Sequence, residues 1–129
     1  MDHQKIFYTN LFVIDDFIPT ATNAEKERIE GMKKYISDLW SKRDYDDNWQ
    51  TKSANLHKQN EFKFFADLII LTSKRIIEQL DYKVEDITIT DMWANVLKDT
   101  EHHPMHTHSN NFLSGTYYLQ SDQKASIVF

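Results

Sequence analysis

The sequence predicts an α+β fold, in which an N-terminal strand and two helices pack on a sheet built by the C-terminal part of the chain. Apolar residues recur at helical spacing in two segments, about residues 22–42 and 59–80. β-Branched and aromatic residues dominate two later segments, about 84–97 and 112–119, where they alternate with polar residues. The change from helical to strand periodicity predicts helices in front and strands behind.

The N-terminal part of the chain contains the first strand and the first helix. Residues 6–14, IFYTNLFVI, are rich in β-branched and aromatic side chains and predict a strand. Thr22 or Asn23 can cap a helix that runs to about Lys42, although Gly31 weakens it modestly. The apolar stripe of this helix predicts a buried face and comprises Ile29, Met32, Ile36 and Leu39.

The middle of the chain predicts a loop, a long helix and a strand. Residues 43–56 are polar without a clear period and indicate a loop, in which Trp49 is either a buried anchor or, with His57, part of a substrate entrance. Residues 59–80 form the clearest helix, and its wide apolar face is typical of packing across a sheet. The apolar stripe of this long helix comprises Phe62, Phe65, Ile69, Thr72, Ile76 and Leu80. Residues 84–97 alternate and predict a strand that places Trp93 and Asn95 on one face.

Length, composition and charge limit the classes of function. The 129 residues suit one domain, with a helical part at about 1–82 and a strand-rich part at about 83–129. The net charge of −5 argues against a nucleic-acid partner, which normally requires a basic patch. The absence of cysteine fits a reducing compartment, and no apolar run is long enough for a signal peptide or a membrane span. We therefore expect a cytoplasmic protein that binds neither nucleic acid nor membrane.

A histidine cluster precedes the last predicted strand. Four of the six histidines lie at positions 102, 103, 106 and 108. Because side chains alternate along an extended backbone, His106 and His108 should share a face, and His103 should point the other way. Imidazole binds zinc, copper, iron and nickel, so the pair is a candidate metal site. The alternative is a surface pair that holds no metal.

The strand that follows, LSGTYYL at 113–119, has one hydroxyl-bearing face. Ser114, Thr116 and Tyr118 should lie on that face, and the opposite face should carry Leu113, Gly115, Tyr117 and Leu119. Three hydroxyls in a row suit the wall of a polar pocket. An ordinary half-exposed strand with its hydroxyls in water fits the pattern equally well.

Taken together, Asn95, the HxH motif at His106 and His108, and LSGTYYL resemble the iron- and 2-oxoglutarate-dependent oxygenases. The resemblance is specific over about residues 90–129, and it covers the branch with the pattern Asn, then HxH, then LSGxYYL. It implies a double-stranded β-helix, also called a jelly roll, with iron at its open end. The helical part would then pack on the first strands of that jelly roll.

The resemblance also implies roles for individual residues. His106 matches the first iron ligand, and Asn95, eleven residues earlier, matches a cosubstrate-binding asparagine. Ser114 and Tyr118 match positions that reach the carboxylates of 2-oxoglutarate. The cofactors implied are Fe(II) and 2-oxoglutarate, with His106 and His108 as metal ligands.

Two features depart from the family pattern. His108 stands where most of the superfamily has Asp or Glu. Either the iron is more electropositive than usual, or another group supplies the carboxylate; the nearby candidates are Asp99, Glu101 and Asp122. The family's distal histidine and its carboxylate-clamping arginine follow the YYL strand, and residues 119–129 contain neither. We therefore expect an N-terminal part of a longer enzyme, with a jelly roll that is incomplete at its C-terminal end.

The expected activity is that of a dioxygenase that hydroxylates a small-molecule or protein substrate while 2-oxoglutarate is converted to succinate and carbon dioxide. Two alternatives remain open: a non-catalytic jelly-roll module that binds zinc or nickel, and an interaction protein in which the histidines are incidental. The last residues, ASIVF at 125–129, would leave an open strand edge, which favours a homodimer or a covering segment.

Overall fold

The computed structural model describes residues 9–44, 49–98, 101–104, 106–109 and 111–121. The described chain combines two α-helices, short 3₁₀ turns and a small two-stranded sheet. The helices are α1, Asn23–Ser41, and α2, Lys63–Gln79; the strands are β1, Trp49–Gln50, and β2, Asn95–Val96. The predicted mixture of helix and sheet is confirmed at this level. None of the helices in the described ranges is long and apolar enough to cross a membrane.

Helix α1 begins with a capping box. The Thr22 hydroxyl accepts a hydrogen bond of 3.2 Å from the Glu25 amide, and the Glu25 carboxylate accepts one of 2.9 Å from the Thr22 amide. These bonds satisfy two amides that have no partner within the helix. Hydrogen bonds from the Thr22 backbone and hydroxyl hold the pKa of Glu25 below its usual value. The predicted start at Thr22 or Asn23 is confirmed.

The buried face of α1 follows the predicted stripe. Met32 is only 1% exposed, and Ile29 and Ile36 pack beside it against the same core. Leu39, at the end of the stripe, is 37% exposed, because the helix leaves the core before it ends at Ser41. The helix is therefore anchored through its central turns.

Gly31 lies within α1, where glycine lowers helix stability. A Cβ at Gly31 would meet no atom within 4 Å. We expect Gly31→Ala to raise the free energy of unfolding by about 0.5–1 kcal/mol, because alanine loses less backbone entropy in a helix. Urea denaturation measures the change. The reverse substitution in the same helix, Ala24→Gly, should lower the free energy of unfolding; a destabilised Gly31→Ala variant would contradict the packing described here.

Helix α2 is preceded by two 3₁₀ turns, Leu56–Lys58 and Asn60–Phe62, which place Leu56 and Phe62 in the core. The predicted helix at 59–80 is thus confirmed for Lys63–Gln79, and its first turn is 3₁₀. Beyond the helix, Asp81 has a φ of 60°, a left-handed conformation that turns the chain away.

The core lies between α1, α2 and the segments that cross them. Phe65 of α2 occupies its centre, with ring centroids 5.9 Å from Phe17 and 5.0 Å from Tyr117. Burial raises the pKa of the Tyr117 hydroxyl. The central cluster comprises Ile18, Met32, Leu56, Phe62 and Phe65.

The small sheet joins the region before α2 to the segment that leads to the histidines. Strands β1 and β2 are antiparallel, with Trp49 opposite Val96 and Gln50 opposite Asn95. Thr51 extends the pairing, because its amide donates to the Ala94 carbonyl at 3.0 Å and its hydroxyl accepts from the Ala94 amide at 3.2 Å. The prediction of a loop throughout 43–56 is therefore wrong at β1. Its short strand carried no periodic signal.

Three predicted strands differ from the structure. Within the described part of the first, residues 9–14, the chain forms no strand and Val13 is 77% exposed; residues 6–8 lie outside the described ranges. In 84–97 the ladder is limited to β2 and a single bridge from Met92 to Asn55. Residues 112–119 form no strand pairing, and their burial alternates except at Gly115, which is exposed together with Ser114 and Thr116. The predicted jelly roll stays a prediction, since the described residues form a two-stranded sheet.

Candidate functional site

The histidine segment begins at a turn that follows β2. The Lys98 amide donates to the Glu101 carboxylate at 2.8 Å, and the Glu101 amide donates to the Lys98 carbonyl at 2.9 Å. Beyond this turn the described residues 102–104 and 106–109 are irregular and exposed. The histidines thus lie on a solvent-facing segment, and the strand predicted to follow them directly is not paired.

His106 and His108 converge as the two-residue spacing predicts. Their Nε2 atoms lie 3.0 Å apart, and their ring centroids lie 4.7 Å apart. Between two neutral imidazoles this contact is a hydrogen bond, in which one Nε2–H donates to the other Nε2. The two nitrogens that can bind a metal therefore lie within hydrogen-bonding distance of each other.

A hydrogen bond to the backbone orients His106. Its Nδ1 lies 2.9 Å from the Pro104 carbonyl oxygen, which can only accept, so Nδ1–H is the donor. In the neutral ring this tautomer leaves a lone pair on Nε2. A ligating imidazole in proteins commonly donates its other nitrogen to a carbonyl in this way, which fixes both the tautomer and the ring plane.

The ring of Trp93 stacks on the ring of His108. The Trp93 and His108 rings have centroids 5.6 Å apart and planes inclined by 27°. Trp93 lies between Met92 and Ala94, which both pack against the core. Trp93 itself is half-buried and turned to the opposite side, where it supports the exposed imidazole.

The separation of the two nitrogens fits a shared metal ion. Two nitrogens that bind one octahedral ion at right angles, each about 2.1 Å away, lie about 3.0 Å apart. The observed Nε2–Nε2 distance is 3.0 Å. Imidazole nitrogen is a suitable donor for ferrous iron, so the pair fits two adjacent positions around such an ion.

His103 is placed differently from the prediction. Its ring meets the His106 ring edge to face with a centroid distance of 4.6 Å, so it does not point away from the pair. The parity argument fails because Pro104 interrupts the regular alternation between the two residues. His103 is nevertheless not brought to the Nε2 atoms as a third ligand: the described ranges contain no group of three His, Cys, Asp or Glu side chains that can hold a metal.

The carboxylates predicted as nearby candidates are distributed as follows. Glu101 accepts the hydrogen bond from the Lys98 amide described above, so it serves the turn. Asp99 and Asp122 lie outside the described residues. The described part of the site therefore consists of two imidazoles, their carbonyl partner and the tryptophan.

Asn95 lies in β2, opposite Gln50, and its side chain is exposed. Side chains on an extended backbone alternate, so Asn95 shares the face of Trp93, whereas Ala94 faces the core. Trp93 contacts His108 on that same side. Asn95 thus lies on the same side of the extended segment as Trp93.

The hydroxyl-bearing face of 113–119 is placed as predicted, although no strand forms. Ser114, Thr116 and Tyr118 are exposed, and Tyr118 retains 45% of its accessible surface. On the other side, Tyr117 and Leu119 pack against the core. The Thr90 hydroxyl donates to Asn111 at 3.1 Å and links this segment to the one before β2. The hydroxyls therefore line an open surface.

Two clefts occupy other parts of the described structure, and neither is lined by any of the five predicted site residues. The first, of about 490 Å³, lies at the start of α2. It is lined by His57, which the sequence analysis gives as a possible part of a substrate entrance. The Nδ1 atom of His57 is buried and has no hydrogen-bond partner among the described residues. The second, of about 590 Å³, lies between α2 and residues 11–17. Trp49 is buried, which agrees with an anchor.

Trp93 is the residue that the sequence analysis did not assign to the site. The available signal was its two-residue spacing from Asn95, which places the two side chains on one face of an extended segment. The contact with His108 spans fifteen positions of the chain and depends on how the irregular segment folds back, which no local pattern predicts.

Comparison with known proteins supports the resemblance. The model of a family described as "Putative 2OG-Fe(II) oxygenase", where 2OG is 2-oxoglutarate, matches residues 91–128. The matched segment is less than a third of the chain and contains Asn95, both histidines of the HxH motif, and LSGTYYL. The predicted resemblance to the iron- and 2-oxoglutarate-dependent oxygenases is confirmed over this segment. Comparisons with curated proteins and with solved structures give no match.

Proposed function

We propose that this chain carries part of the active site of an Fe(II)- and 2-oxoglutarate-dependent dioxygenase. The observation that carries the proposal is the 3.0 Å separation of the His106 and His108 Nε2 atoms. This distance suits two adjacent ligands of one octahedral ion, and the pair lies within the segment that matches the oxygenase family.

In this proposal His106 and His108 hold ferrous iron through Nε2. The Pro104 carbonyl keeps the His106 lone pair directed at the metal. A facial iron site normally has three protein ligands, so a third group from outside the described residues would complete it. Bound iron would supply redox chemistry with dioxygen, in which 2-oxoglutarate gives succinate and carbon dioxide and a substrate C–H bond is hydroxylated.

The proposal assigns the cosubstrate to Asn95, Ser114 and Tyr118, which the resemblance matches to cosubstrate-binding positions. Asn95 is on the same side of its segment as Trp93, and the exposed hydroxyls of Ser114 and Tyr118 can donate to carboxylate oxygens. Hydrogen bonds to a charged carboxylate are stronger than those between neutral groups, so two such donors contribute substantially to binding. We propose a small molecule or a protein as the substrate.

The proposal also includes a jelly-roll fold for the C-terminal part of the chain. In a jelly roll, residues 84–97 and 112–119 would be strands whose partners complete the sheet. Ile87, Ile89, Tyr117 and Leu119 are each less exposed than their two neighbours in the chain, which supports this. The helical part, about residues 1–82, would pack against these strands within one domain.

A metal-binding module without catalysis is the second candidate. It is favoured by His108, which stands where most oxygenases of the superfamily have a carboxylate. Such a module would bind zinc or nickel through the same pair but would not bind 2-oxoglutarate, so cosubstrate binding separates the two candidates.

Tyr118→Phe tests the cosubstrate assignment. Removing a hydrogen bond to a charged group changes binding by about 1.5–3 kcal/mol, which is about tenfold to a hundredfold in Kd. We therefore expect the variant to bind 2-oxoglutarate more weakly by this factor in the presence of Co(II), a redox-stable substitute for Fe(II). Isothermal titration calorimetry gives both constants.

Tyr117→Phe is the matched control for this prediction. Tyr117 faces Phe65 and Phe17, so loss of its hydroxyl should leave 2-oxoglutarate affinity unchanged. Equal affinities for wild type and Tyr118→Phe would remove Tyr118 from the site. Metal binding by the wild type without any 2-oxoglutarate binding would favour the non-catalytic module.

A further inference from the structure

We infer that Trp93 is a positioning residue, which holds the His108 imidazole in the orientation needed to bind metal together with His106. The inference rests on the function proposed above, and it adds a residue outside the proposed ligand set. It is carried by the stacking geometry, a centroid distance of 5.6 Å with planes inclined by 27°.

Trp93 is attached to a rigid part of the molecule. Its neighbour Met92 makes two backbone hydrogen bonds, donating to Ala54 at 2.7 Å and accepting from Leu56 at 3.0 Å. Its other neighbour, Ala94, makes two hydrogen bonds with Thr51, which is 4% exposed. The backbone on both sides of Trp93 is therefore held by the sheet and the core, which fixes the point from which the indole extends.

His108 lies on a segment with few constraints of its own. Within the described ranges, residues 106–108 lie outside any helix or strand, Ser109 lies in a turn, and both histidines are exposed. The described contacts of the His108 ring are the Nε2 contact with His106 and the stack on Trp93. An exposed imidazole loses rotamer freedom on binding a metal, and a contact that already restricts the ring lowers that loss.

The two imidazoles are thus oriented by different means. A backbone carbonyl orients His106 by accepting a hydrogen bond from Nδ1. The indole orients His108 through its ring face, a contact that uses neither imidazole nitrogen as a donor or acceptor. The two Nε2 atoms lie 3.0 Å apart. Loss of an orienting partner of a ligating histidine typically lowers metal affinity by about 10–100-fold.

The experiment compares Trp93→Leu, which keeps apolar bulk but removes the ring, with Trp93→Phe, which keeps a flat aromatic face. Trp40→Leu is the matched control, because Trp40 lies in α1 under the Arg43 guanidinium, 4.1 Å from its ring centroid. Circular dichroism and urea unfolding establish that each variant is folded. Ni(II) affinity is measured by calorimetry, and the His108 ring protons are followed by NMR without metal.

Before metal is added, the indole ring current should shift the His108 ring protons, and Trp93→Leu should remove that shift while leaving His102 unchanged. Ni(II) affinity should fall about tenfold or more in Trp93→Leu, recover at least in part in Trp93→Phe, and stay at the wild-type value in Trp40→Leu. This combination supports a positioning role, because general destabilisation would not be rescued by an aromatic ring.

Two results overturn the inference alone. One is an unchanged His108 spectrum in Trp93→Leu, which excludes the stack. The other is a Trp93→Leu variant that binds Ni(II) as tightly as a wild type that does bind it, which excludes a positioning effect. A wild type that binds no Ni(II) at all contradicts the proposed function, and the inference falls with it.

Discussion

Replacement of Phe65 by alanine is expected to lower the free energy of unfolding by about 3–5 kcal/mol, the range for removing a buried phenylalanine. Phe65 is 9% exposed and lies at ring-contact distance from both Phe17 and Tyr117. It therefore connects α2 with the N-terminal segment and with the segment that carries the hydroxyl face. Urea denaturation followed by circular dichroism measures the change.

Two further variants serve as controls for the Phe65→Ala substitution. Leu71→Ala, on the exposed side of the same helix, should change the free energy of unfolding little, because Leu71 retains 47% of its surface. Phe65→Leu should be less damaging than Phe65→Ala and should retain a cooperative transition. A loss below about 1 kcal/mol for Phe65→Ala would contradict its central place in the core.

Replacement of His106 or His108 by alanine is expected to abolish metal binding. Each change leaves one imidazole, and a single exposed imidazole cannot form the two adjacent bonds that the 3.0 Å Nε2 separation provides. Binding should be weak even in the wild type, since two ligands leave most of the coordination sphere open. Titration with Co(II) or Ni(II), as substitutes for Fe(II), gives the affinities of each variant.

His103→Ala and His102→Ala are the controls for the histidine pair. The His103 ring contacts the His106 ring edge to face, so its loss should weaken the orientation of His106 without removing a ligand. His102 is exposed, and its replacement should have no effect. If His103→Ala were as damaging as His106→Ala, the assignment of the pair as the ligand set would be wrong.

The helices could be predicted from the sequence because their signals are local. Thr22 and Glu25 lie within one turn and define the start of α1, and the stripe around Met32 repeats at helical spacing. The sheet could not be predicted in the same way. Strand β1 has two residues within a polar region, and its partner, β2, lies more than forty positions further along the chain.

Apolar composition alone was a poor guide to strands. The described part of 6–14 contains Leu11 and Val13, which are 59% and 77% exposed and form no strand, because strand formation requires a partner as well as suitable side chains. In 113–119 the directions of the two tyrosines were predicted correctly, with Tyr117 towards the core and Tyr118 towards solvent, whereas Gly115, predicted on the face of Tyr117, is exposed. The segment that pairs with residues 113–119 cannot be predicted in this way, because strand pairing depends on residues distant in the sequence.

For the histidine pair, too, local spacing predicted one feature of the geometry, and the rest depends on contacts that local spacing does not predict. The two-residue spacing of His106 and His108 predicted that the rings would converge, and their Nε2 atoms do. The devices that orient the rings, the Pro104 carbonyl and the Trp93 face, arise from an irregular backbone that periodicity does not describe. The expected direction of His103 failed for the same reason.

The central claim, that the pair takes part in an Fe(II)- and 2-oxoglutarate-binding site, is tested most directly by an anaerobic titration of Fe(II) and 2-oxoglutarate followed by visible absorption. A 2-oxo acid chelated to ferrous iron gives a charge-transfer band. We predict that the wild type and the His102→Ala variant develop this band beyond that of the protein-free mixture, and that a variant with both His106→Ala and His108→Ala does not. Identical spectra for the wild type and the double variant would contradict the claim.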